Sequence, residues 1–83
     1  MKLLYFARFR QILGKGEEAI ELPAGIRTAN ELIAWLRVKD EAYDLVFSDT
    51  RIVRVAIDKE HASLDASIAG AQEVAFFPPV TGG

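Results

Sequence analysis

The sequence predicts a single α+β domain, a roll in which one main helix lies across one face of a four- to five-stranded sheet. The chain has 83 residues, of which 51% are hydrophobic, and this is enough for one compact core but not for two. Strand-like and helix-like segments follow one another in the order β-β-α-β-β. Because a single helix accompanies four or five strands, we expect it to cover only one face of the sheet.

Two strands are predicted before the helix. The segment from Leu3 to Phe9 is rich in aromatic and branched side chains on both alternating faces, which is typical of a central strand. Gly14-Lys15-Gly16 favours a hairpin turn, because glycine readily adopts positive φ. The alternation from Glu17 to Leu22 predicts a second, half-exposed strand, and Pro23-Ala24-Gly25 ends it.

The main helix is predicted to begin at Thr28. Thr28-Ala29-Asn30-Glu31 has the S/T-x-x-E form of a capping box, in which two side chains accept hydrogen bonds from backbone N–H groups of the first turn. Apolar residues then recur at the helical spacing that forms one stripe, at Ala29, Leu32, Ile33 and Leu36. Similar spacing within the segment 43–47 predicts one or two further helical turns.

Two more strands are predicted in the second half of the chain. The first runs from Ile52 to Ile57, with Val53 and Val55 facing the core. The segment from Asp58 to Gly70 has few apolar residues, so we expect it to be rich in loops, with at most one short strand. The last strand runs from Glu73 to Phe77.

Charge and composition exclude several classes of function. Ten Lys and Arg against twelve Asp and Glu give a formal net charge of −2, so the chain lacks the basic field that binds nucleic acid. It has no cysteine, and its single histidine, His61, is interpreted as a surface loop residue without metal-ligand spacing. The apolar stretch before Arg8 is too short for a signal peptide or a membrane span. We therefore expect a cytoplasmic protein that binds no metal, no membrane and no nucleic acid.

The end of the chain has a composition of its own. Pro78 and Pro79 cannot donate to a strand ladder, so residues 1–77 are predicted to form the domain and residues 78–83 an extended, flexible tail. Such a tail spans roughly 20 Å, enough to enter another protein. The paired glycines Gly82 and Gly83 fit a narrow channel and leave the terminal carboxylate unhindered. A frayed terminus without function is the alternative, and the double proline and double glycine argue against it.

The run from Glu73 to Gly83, EVAFFPPVTGG, resembles the C-terminus of the small subunits of molybdopterin synthase, a ubiquitin-like family of sulfur carriers. A terminal Gly-Gly is shared with ubiquitin and with the thiamin-pathway carrier, whereas the Phe-Phe-Pro-Pro-Val that precedes it is similar only to the molybdopterin branch. The resemblance implies a β-grasp fold with a mixed sheet, and the length and element order of the chain agree with that fold.

The resemblance also implies a reaction cycle. An E1-like adenylyltransferase would use ATP to convert the Gly83 carboxylate into an AMP ester, and a persulfide sulfur donor would convert this ester into a thiocarboxylate. Val80, Thr81 and Gly82 would then enter a channel of the large subunit. There the sulfur would be transferred to cyclic pyranopterin monophosphate to build the molybdopterin dithiolene. The family implies a heterotetramer, catalytic acid–base residues on the large subunit, and no permanently bound cofactor besides the transient ATP and AMP.

Two other functions use the same tail or dispense with it. A ubiquitin-like modifier, or a sulfur carrier of another pathway such as that of thiamin, would also need Gly83 to be adenylated. A passive β-grasp adaptor would need neither Gly82 nor Gly83. The terminal residues therefore do not separate the sulfur carrier of molybdopterin synthase from a modifier or from a carrier of another pathway.

The contacts made by the strand end are a separate question. If Val74 and Phe76 face the core, Phe77 lies on the opposite face beside Pro78 and Pro79, where we expect a partner interface. The alternative is that Phe77 packs beneath a helix or loop of its own chain. Four arginines near predicted strand ends are interpreted as solvated charge or as contacts to an acidic partner, and these are Arg8, Arg10, Arg51 and Arg54.

Overall fold

The computed structural model describes residues 1–79. These residues form five strands and three α-helices, with a short 3₁₀ turn at Thr50–Ile52. In chain order the elements are β1 (Lys2–Tyr5), α1 (Ala7–Leu13), β2 (Glu17–Ala19), α2 (Ala29–Arg37), α3 (Glu41–Phe47), β3 (Arg54–Ile57), β4 (Glu60–Ala62) and β5 (Glu73–Phe77). The predicted α+β class is confirmed, although two helices accompany the main one.

The five strands form one mixed sheet in the order β2-β1-β5-β3-β4. The central pair, β1 and β5, is parallel, with Leu3 opposite Val74 and Tyr5 opposite Phe76. The other pairs are antiparallel. A central parallel pair formed by the first and last strands, with helices on one face, is the β-grasp arrangement that the family resemblance implies.

The hydrophobic core lies between one face of the sheet and the helices. Leu3, Val55, Val74 and Phe76 face this side and are at most 1% exposed. The Phe76 ring packs edge-on against Phe47 of α3, with ring centroids 5.0 Å apart. Burial of large apolar side chains of this kind contributes about 1.5 to 3 kcal/mol each, so this layer is a major source of stability.

Helix α2 begins as its sequence predicts. The Thr28 Oγ1 accepts a hydrogen bond from the Glu31 backbone N–H at 3.2 Å, and the Glu31 carboxylate accepts one from the Thr28 N–H at 3.0 Å. All four residues of the predicted stripe are buried against the core. The short helix predicted around Tyr43 is also confirmed as α3, whose first turn is capped by the Asp40 carboxylate.

The prediction for the segment after Tyr5 was wrong. The strand expected to reach Phe9 ends at Tyr5, and Ala7–Leu13 forms helix α1. Phe9 and Leu13, four residues apart, face the core from this helix, which is the spacing of a helical stripe. Gly14 adopts a φ of +73° and donates its N–H to the Arg10 carbonyl. This glycine therefore ends a helix rather than turning a hairpin.

Two other strand boundaries were also wrong. The second strand was expected to run from Glu17 to Leu22, but β2 ends at Ala19. Its partner β1 begins at Lys2. Beyond that point the Ile20 N–H donates to the Met1 carbonyl, and the Ile20 carbonyl accepts from the Met1 ammonium, both at 2.9 Å. The strand expected from Ile52 begins at Arg54, after the 3₁₀ turn, while Glu60–Ala62 forms the short strand anticipated within the loop-rich segment.

A polar cluster ties β1, β2 and α3 together on the core side of the sheet. The Glu18 carboxylate accepts hydrogen bonds from the Tyr5 hydroxyl at 2.6 Å, from the Tyr43 hydroxyl, and from the Lys15 ammonium at 3.1 Å. Partial burial alone would raise the pKa of Glu18. The hydrogen bonds from Tyr43, Tyr5 and Lys15 outweigh it and hold that pKa below its usual range. Burial and the contact with Glu18 raise the pKa of both tyrosines.

We expect Glu18→Gln to lower the free energy of unfolding at neutral pH by about 1 to 3 kcal/mol, because two tyrosine hydroxyls lose a charged acceptor. A lowered pKa in the folded state adds stability above the unfolded-state pKa, and this stability is lost as the pH falls through the folded value. The difference between wild type and Glu18→Gln should therefore shrink below about pH 4.3. Urea unfolding of both proteins at a series of pH values measures this difference in the free energy of unfolding.

Glu17→Gln is the matched control. Glu17 is the neighbouring residue of β2, and its side chain is 64% exposed, against 17% for Glu18. Its only ion pair within residues 1–79 is a surface contact with Lys2 at 3.5 Å, so its loss should change stability little. Equal effects of the two substitutions, or a pH-independent effect of Glu18→Gln, would contradict the role given to the cluster.

Candidate functional site

The sheet face opposite the helices carries a row of side chains that crosses four strands. Leu4 of β1 lies opposite Ala75 of β5, Ala75 lies opposite Ala56 of β3, and Ala56 lies opposite His61 of β4. Phe77 is the next residue of β5 on the same face. We call these five residues the open face. None of them belongs to the buried core cluster that joins the sheet to the helices.

The open face is apolar at its centre and is only partly shielded by its own side chains. Ala56 and Ala75 are 9% and 7% exposed, whereas Leu4 and Phe77 are half-buried. The Phe77 ring meets the His61 ring edge-on, with centroids 5.2 Å apart. Two alanines flanked by larger side chains leave a shallow apolar surface, which is a form typical of protein interfaces.

The C-terminal end of β5 adjoins this face. Because β1 and β5 are parallel, both strands end at the same edge of the sheet. On one side the Phe6 N–H donates to the Phe76 carbonyl at 3.2 Å, and the Phe6 side chain is 47% exposed. On the other side Arg54 lies opposite Phe77. The chain therefore leaves the sheet, through Pro78, between an exposed aromatic residue and an exposed arginine; we call this place the exit.

The four arginines named from the sequence differ in their surroundings. Arg51 forms a bidentate pair with Asp49 at 2.9 and 3.0 Å, and these hydrogen bonds hold the pKa of Asp49 below its usual range. The Arg54 guanidinium donates to the carbonyls of Arg51 and Val53. Within residues 1–79 no carboxylate lies at ion-pair distance from Arg54, Arg8 or Arg10.

The residues predicted for the site fall into two groups. Phe77 ends β5 on the open face, and Pro78 and Pro79 follow it, half-buried and outside any strand. Phe77 thus lies opposite the core, on the side where a partner contact was expected. The prediction of a flexible tail that enters a channel concerns residues outside the described part of the chain, and these are Val80, Thr81, Gly82 and Gly83.

Other features of the site were missed in the sequence. His61 was interpreted as a loop residue, but it lies in β4 and contacts Phe77. A strand of three residues shows too little alternation to be recognised, and the pairing that brings His61 to Phe77 joins residues distant in sequence. Leu4 and Phe6 were assigned to a longer central strand, and their positions at the open face and the exit depend on where β1 ends.

The described part of the chain holds no group of three or more histidine, aspartate or glutamate side chains arranged to bind a metal ion. No helix within residues 1–79 is long and apolar enough to cross a membrane. Three groups with shifted pKa values lie together at the core side of the sheet, where the hydroxyls of Tyr5 and Tyr43 both donate to the Glu18 carboxylate. They therefore stabilise the fold and lie away from the open face.

Comparison with known proteins agrees with this geometry. The sequence model of the ThiS family matches residues 3–83. The chain belongs to the ThiS family. It is 32% identical over its full length to the molybdopterin synthase sulfur carrier subunit of Escherichia coli, covering 99% of that protein. It is also 32% identical to the protein of the same name from Dictyostelium discoideum, covering 99% of this chain and 94% of the relative.

A solved structure supports the same fold for this ThiS-family chain. Small archaeal modifier protein 1 of Haloferax volcanii superposes with a TM-score of 0.75 at 25% sequence identity. The superposition covers 96% of this chain and 97% of the archaeal protein. The match extends over the whole β-grasp domain, so the fold is shared from the first strand to the last.

We expect the two adjacent phenylalanines of this ThiS-family chain to differ sharply when they are replaced by alanine. Phe76 is fully buried, so Phe76→Ala should lower the free energy of unfolding by about 3 to 5 kcal/mol. Phe77 lies on the open face, so Phe77→Ala should cost about 1 kcal/mol or less. Urea unfolding of the two variants makes the comparison. A similar loss in both would place Phe77 in the core and remove it from the candidate site.

Proposed function

We propose that this chain is the sulfur-carrier small subunit of a molybdopterin synthase, acting through the carboxylate of Gly83. The full-length similarity to molybdopterin synthase sulfur carrier subunits from bacteria and a eukaryote carries this proposal. The sequence Pro78 to Gly83, PPVTGG, supports it, because this segment follows directly from the exit beside the open face.

The chemistry begins with activation of a carboxylate that is unreactive in its ionised form. The Gly83 carboxylate attacks the α-phosphorus of ATP in a partner adenylyltransferase, and pyrophosphate leaves. The terminal sulfur of a persulfide then attacks the acyl carbon and displaces AMP. A second thiol forms a disulfide with the donor and releases the thiocarboxylate. Glycine suits this position because it has no side chain to hinder either attack.

The sulfur is then used by a second partner. The tail, through Val80, Thr81 and Gly82, enters the active site of the large subunit, where the thiocarboxylate sulfur is transferred to cyclic pyranopterin monophosphate. Repeated delivery builds the dithiolene of molybdopterin. In this role the chain supplies the sulfur of its terminal thiocarboxylate. The acid–base residues belong to the large subunit, and the complex holds two copies of each subunit.

The open face and the exit are the surface on which the large subunit docks in this proposal. Phe77 offers a half-buried aromatic ring next to the departing tail, and large aromatic side chains dominate the binding energy of interfaces. Ala56 and Ala75 have short side chains at the centre of the surface, so an apolar side chain of the partner can approach the sheet. Arg54, on the rim, carries a charge that can select an acidic partner group.

A second function, that of a protein modifier, is favoured by one observation. The similar structure from Haloferax volcanii is named a small archaeal modifier protein. A modifier would be adenylated in the same way, but its Gly83 acyl group would be joined to lysine amines of target proteins. A sulfur carrier for another pathway, such as that of thiamin, would form the same thiocarboxylate and differ only in the acceptor.

We expect intact-mass spectrometry of the full chain, purified after coexpression with its adenylyltransferase and sulfur donor, to show the mass increase of one oxygen replaced by one sulfur. Fragmentation should assign the change to Gly83. Adducts joined to lysines by isopeptide bonds, with no thiocarboxylate, would favour the modifier.

The matched control is a chain with one alanine added after Gly83. The reactive carboxylate then moves by one residue while no core contact changes, so we expect normal unfolding but neither the mass change nor production of molybdopterin. Removal of Gly82 and Gly83 should have the same effect. Continued sulfur transfer from either variant would exclude the proposed mechanism.

We expect Phe77→Ala to weaken binding to the large subunit by roughly tenfold or more, as for other central aromatic residues of interfaces. Leu45→Ala is the control, because Leu45 is an equally apolar side chain, 65% exposed on α3 of the helical layer. Isothermal titration calorimetry measures both affinities. Unchanged binding by Phe77→Ala, with intact folding, would move the docking site away from the open face.

A further inference from the structure

The guanidinium of Arg54 is restrained at the rim of the open face. Arg54 lies on the same face of β3 as Ala56 and directly opposite Phe77 of β5. Its Nη1 donates to two backbone carbonyls of the preceding turn, that of Arg51 at 3.1 Å and that of Val53 at 3.3 Å. Two bonds from one nitrogen restrict rotation of the whole group. Part of the side-chain entropy that binding would otherwise cost is therefore already lost on folding.

The remaining donors of this guanidinium form a fork. Arginine has five N–H donors in one plane, and the two hydrogens of Nη1 account for the two carbonyl contacts. The Nε–H and one N–H of Nη2 point in parallel along the next side of the group, a geometry that both oxygens of a carboxylate accept. Both side-chain hydrogen bonds that Arg54 makes within residues 1–79 start from Nη1. The described part of the chain therefore does not use this fork.

Arg51, in the turn before β3, shows the same fork with its acceptor in place. Its Nε and Nη2 donate to the two carboxylate oxygens of Asp49 at 2.9 and 3.0 Å. The Asp49 carboxylate also accepts from the Arg51 backbone N–H, so both of its oxygens are engaged. Among the described residues no carboxylate lies at ion-pair distance from Arg54. A carboxylate for the second fork has to come from outside this part of the chain.

We propose that the Arg54 fork binds a carboxylate of the large subunit as a bidentate pair. The inference rests on the proposed function, in which that subunit covers the open face. Covering Phe77 also takes water from Arg54, because opposed residues of an antiparallel pair have Cβ atoms about 4.5 to 5.5 Å apart. A guanidinium that loses water is destabilised unless an opposite charge and hydrogen-bond acceptors replace that water. A carboxylate supplies both.

The position of Arg54 favours a protein carboxylate over a phosphate as the acceptor. In the proposed cycle the phosphates of the nucleotide and of the pterin meet the chain at Gly83. An extended tail of six residues places Gly83 roughly 20 Å from the exit, whereas Arg54 lies beside the exit, opposite Phe77. The group that reaches Arg54 therefore belongs to the surface of the large subunit and not to the reacting molecules.

The test separates a bidentate pair from a simple attraction between charges. Isothermal titration calorimetry measures the dissociation constant of the full chain with the large subunit from the same organism, for wild type, Arg54→Lys and Arg54→Gln. Lysine keeps the positive charge, but its single ammonium cannot present a planar fork. Glutamine keeps a polar side chain and removes the charge.

We expect Arg54→Lys to weaken binding roughly tenfold, because one of two hydrogen bonds to a charged acceptor is lost. Arg54→Gln should weaken it roughly thirtyfold or more, since the carboxylate of the partner is left without its opposite charge. Wild-type affinity of Arg54→Gln would overturn the inference. Wild-type affinity of Arg54→Lys would also overturn it, because a positive charge alone would then be sufficient.

Arg51→Lys is the matched control. It makes the same chemical change in the turn that Arg54 contacts, but the Arg51 fork already holds Asp49. Lysine can still pair with that carboxylate, so we expect wild-type affinity. A loss as large as that of Arg54→Lys would assign the effect to the turn and contradict the inference. Urea unfolding of each variant excludes loss of folding as the cause.

Phe77→Ala, measured in the same titrations, separates this inference from the proposed function. Weaker binding by Phe77→Ala together with wild-type affinity of both Arg54 variants retains docking on the open face and rejects only the carboxylate pair. Unchanged binding by Phe77→Ala rejects the docking surface, and the inference with it. If the wild-type chain does not bind the large subunit, the proposed function itself fails.

Discussion

Strands β1 and β5, from opposite ends of the chain, pair in parallel at the centre of the sheet. Parallel strands end at the same edge, so the last strand finishes beside the turn at Phe6 that leads into α1. The same pairing buries Val74 and Phe76 against the helices. It thereby fixes the point at which the tail leaves the domain, and the core, the open face and the exit all depend on it.

Because side chains alternate along β5, the residues that stabilise the fold and the residue proposed to contact a partner lie on opposite faces of the sheet. Phe76 and Phe77 are adjacent in sequence, yet the first is fully buried beneath the helices and the second meets His61 on the opposite face. The Glu18 cluster lies on the side of Phe76. The helix-covered face can thus be optimised for folding, while the open face remains available for the partner contacts of the proposed function.

Local signals in the sequence predicted the elements that local interactions determine. The capping box at Thr28 and the alternation from Glu73 to Phe77 each involve residues a few positions apart, and both were recognised. Helix α1 was missed because a short apolar segment is compatible with strand and helix alike, and Gly14 suits either a turn or a helix end. The contact of His61 with Phe77 depends on the register between distant strands, which no local pattern encodes.

The exit is a single place, and it adjoins the open face, on which the large subunit docks in the proposed function. Two enzymes that both cover Phe77 and receive the tail beyond Pro79 cannot occupy this chain at the same time. In the proposed function, an adenylyltransferase that also covered Phe77 would have to dissociate before the large subunit binds. Activation and delivery would then follow one another in a fixed order on each carrier molecule.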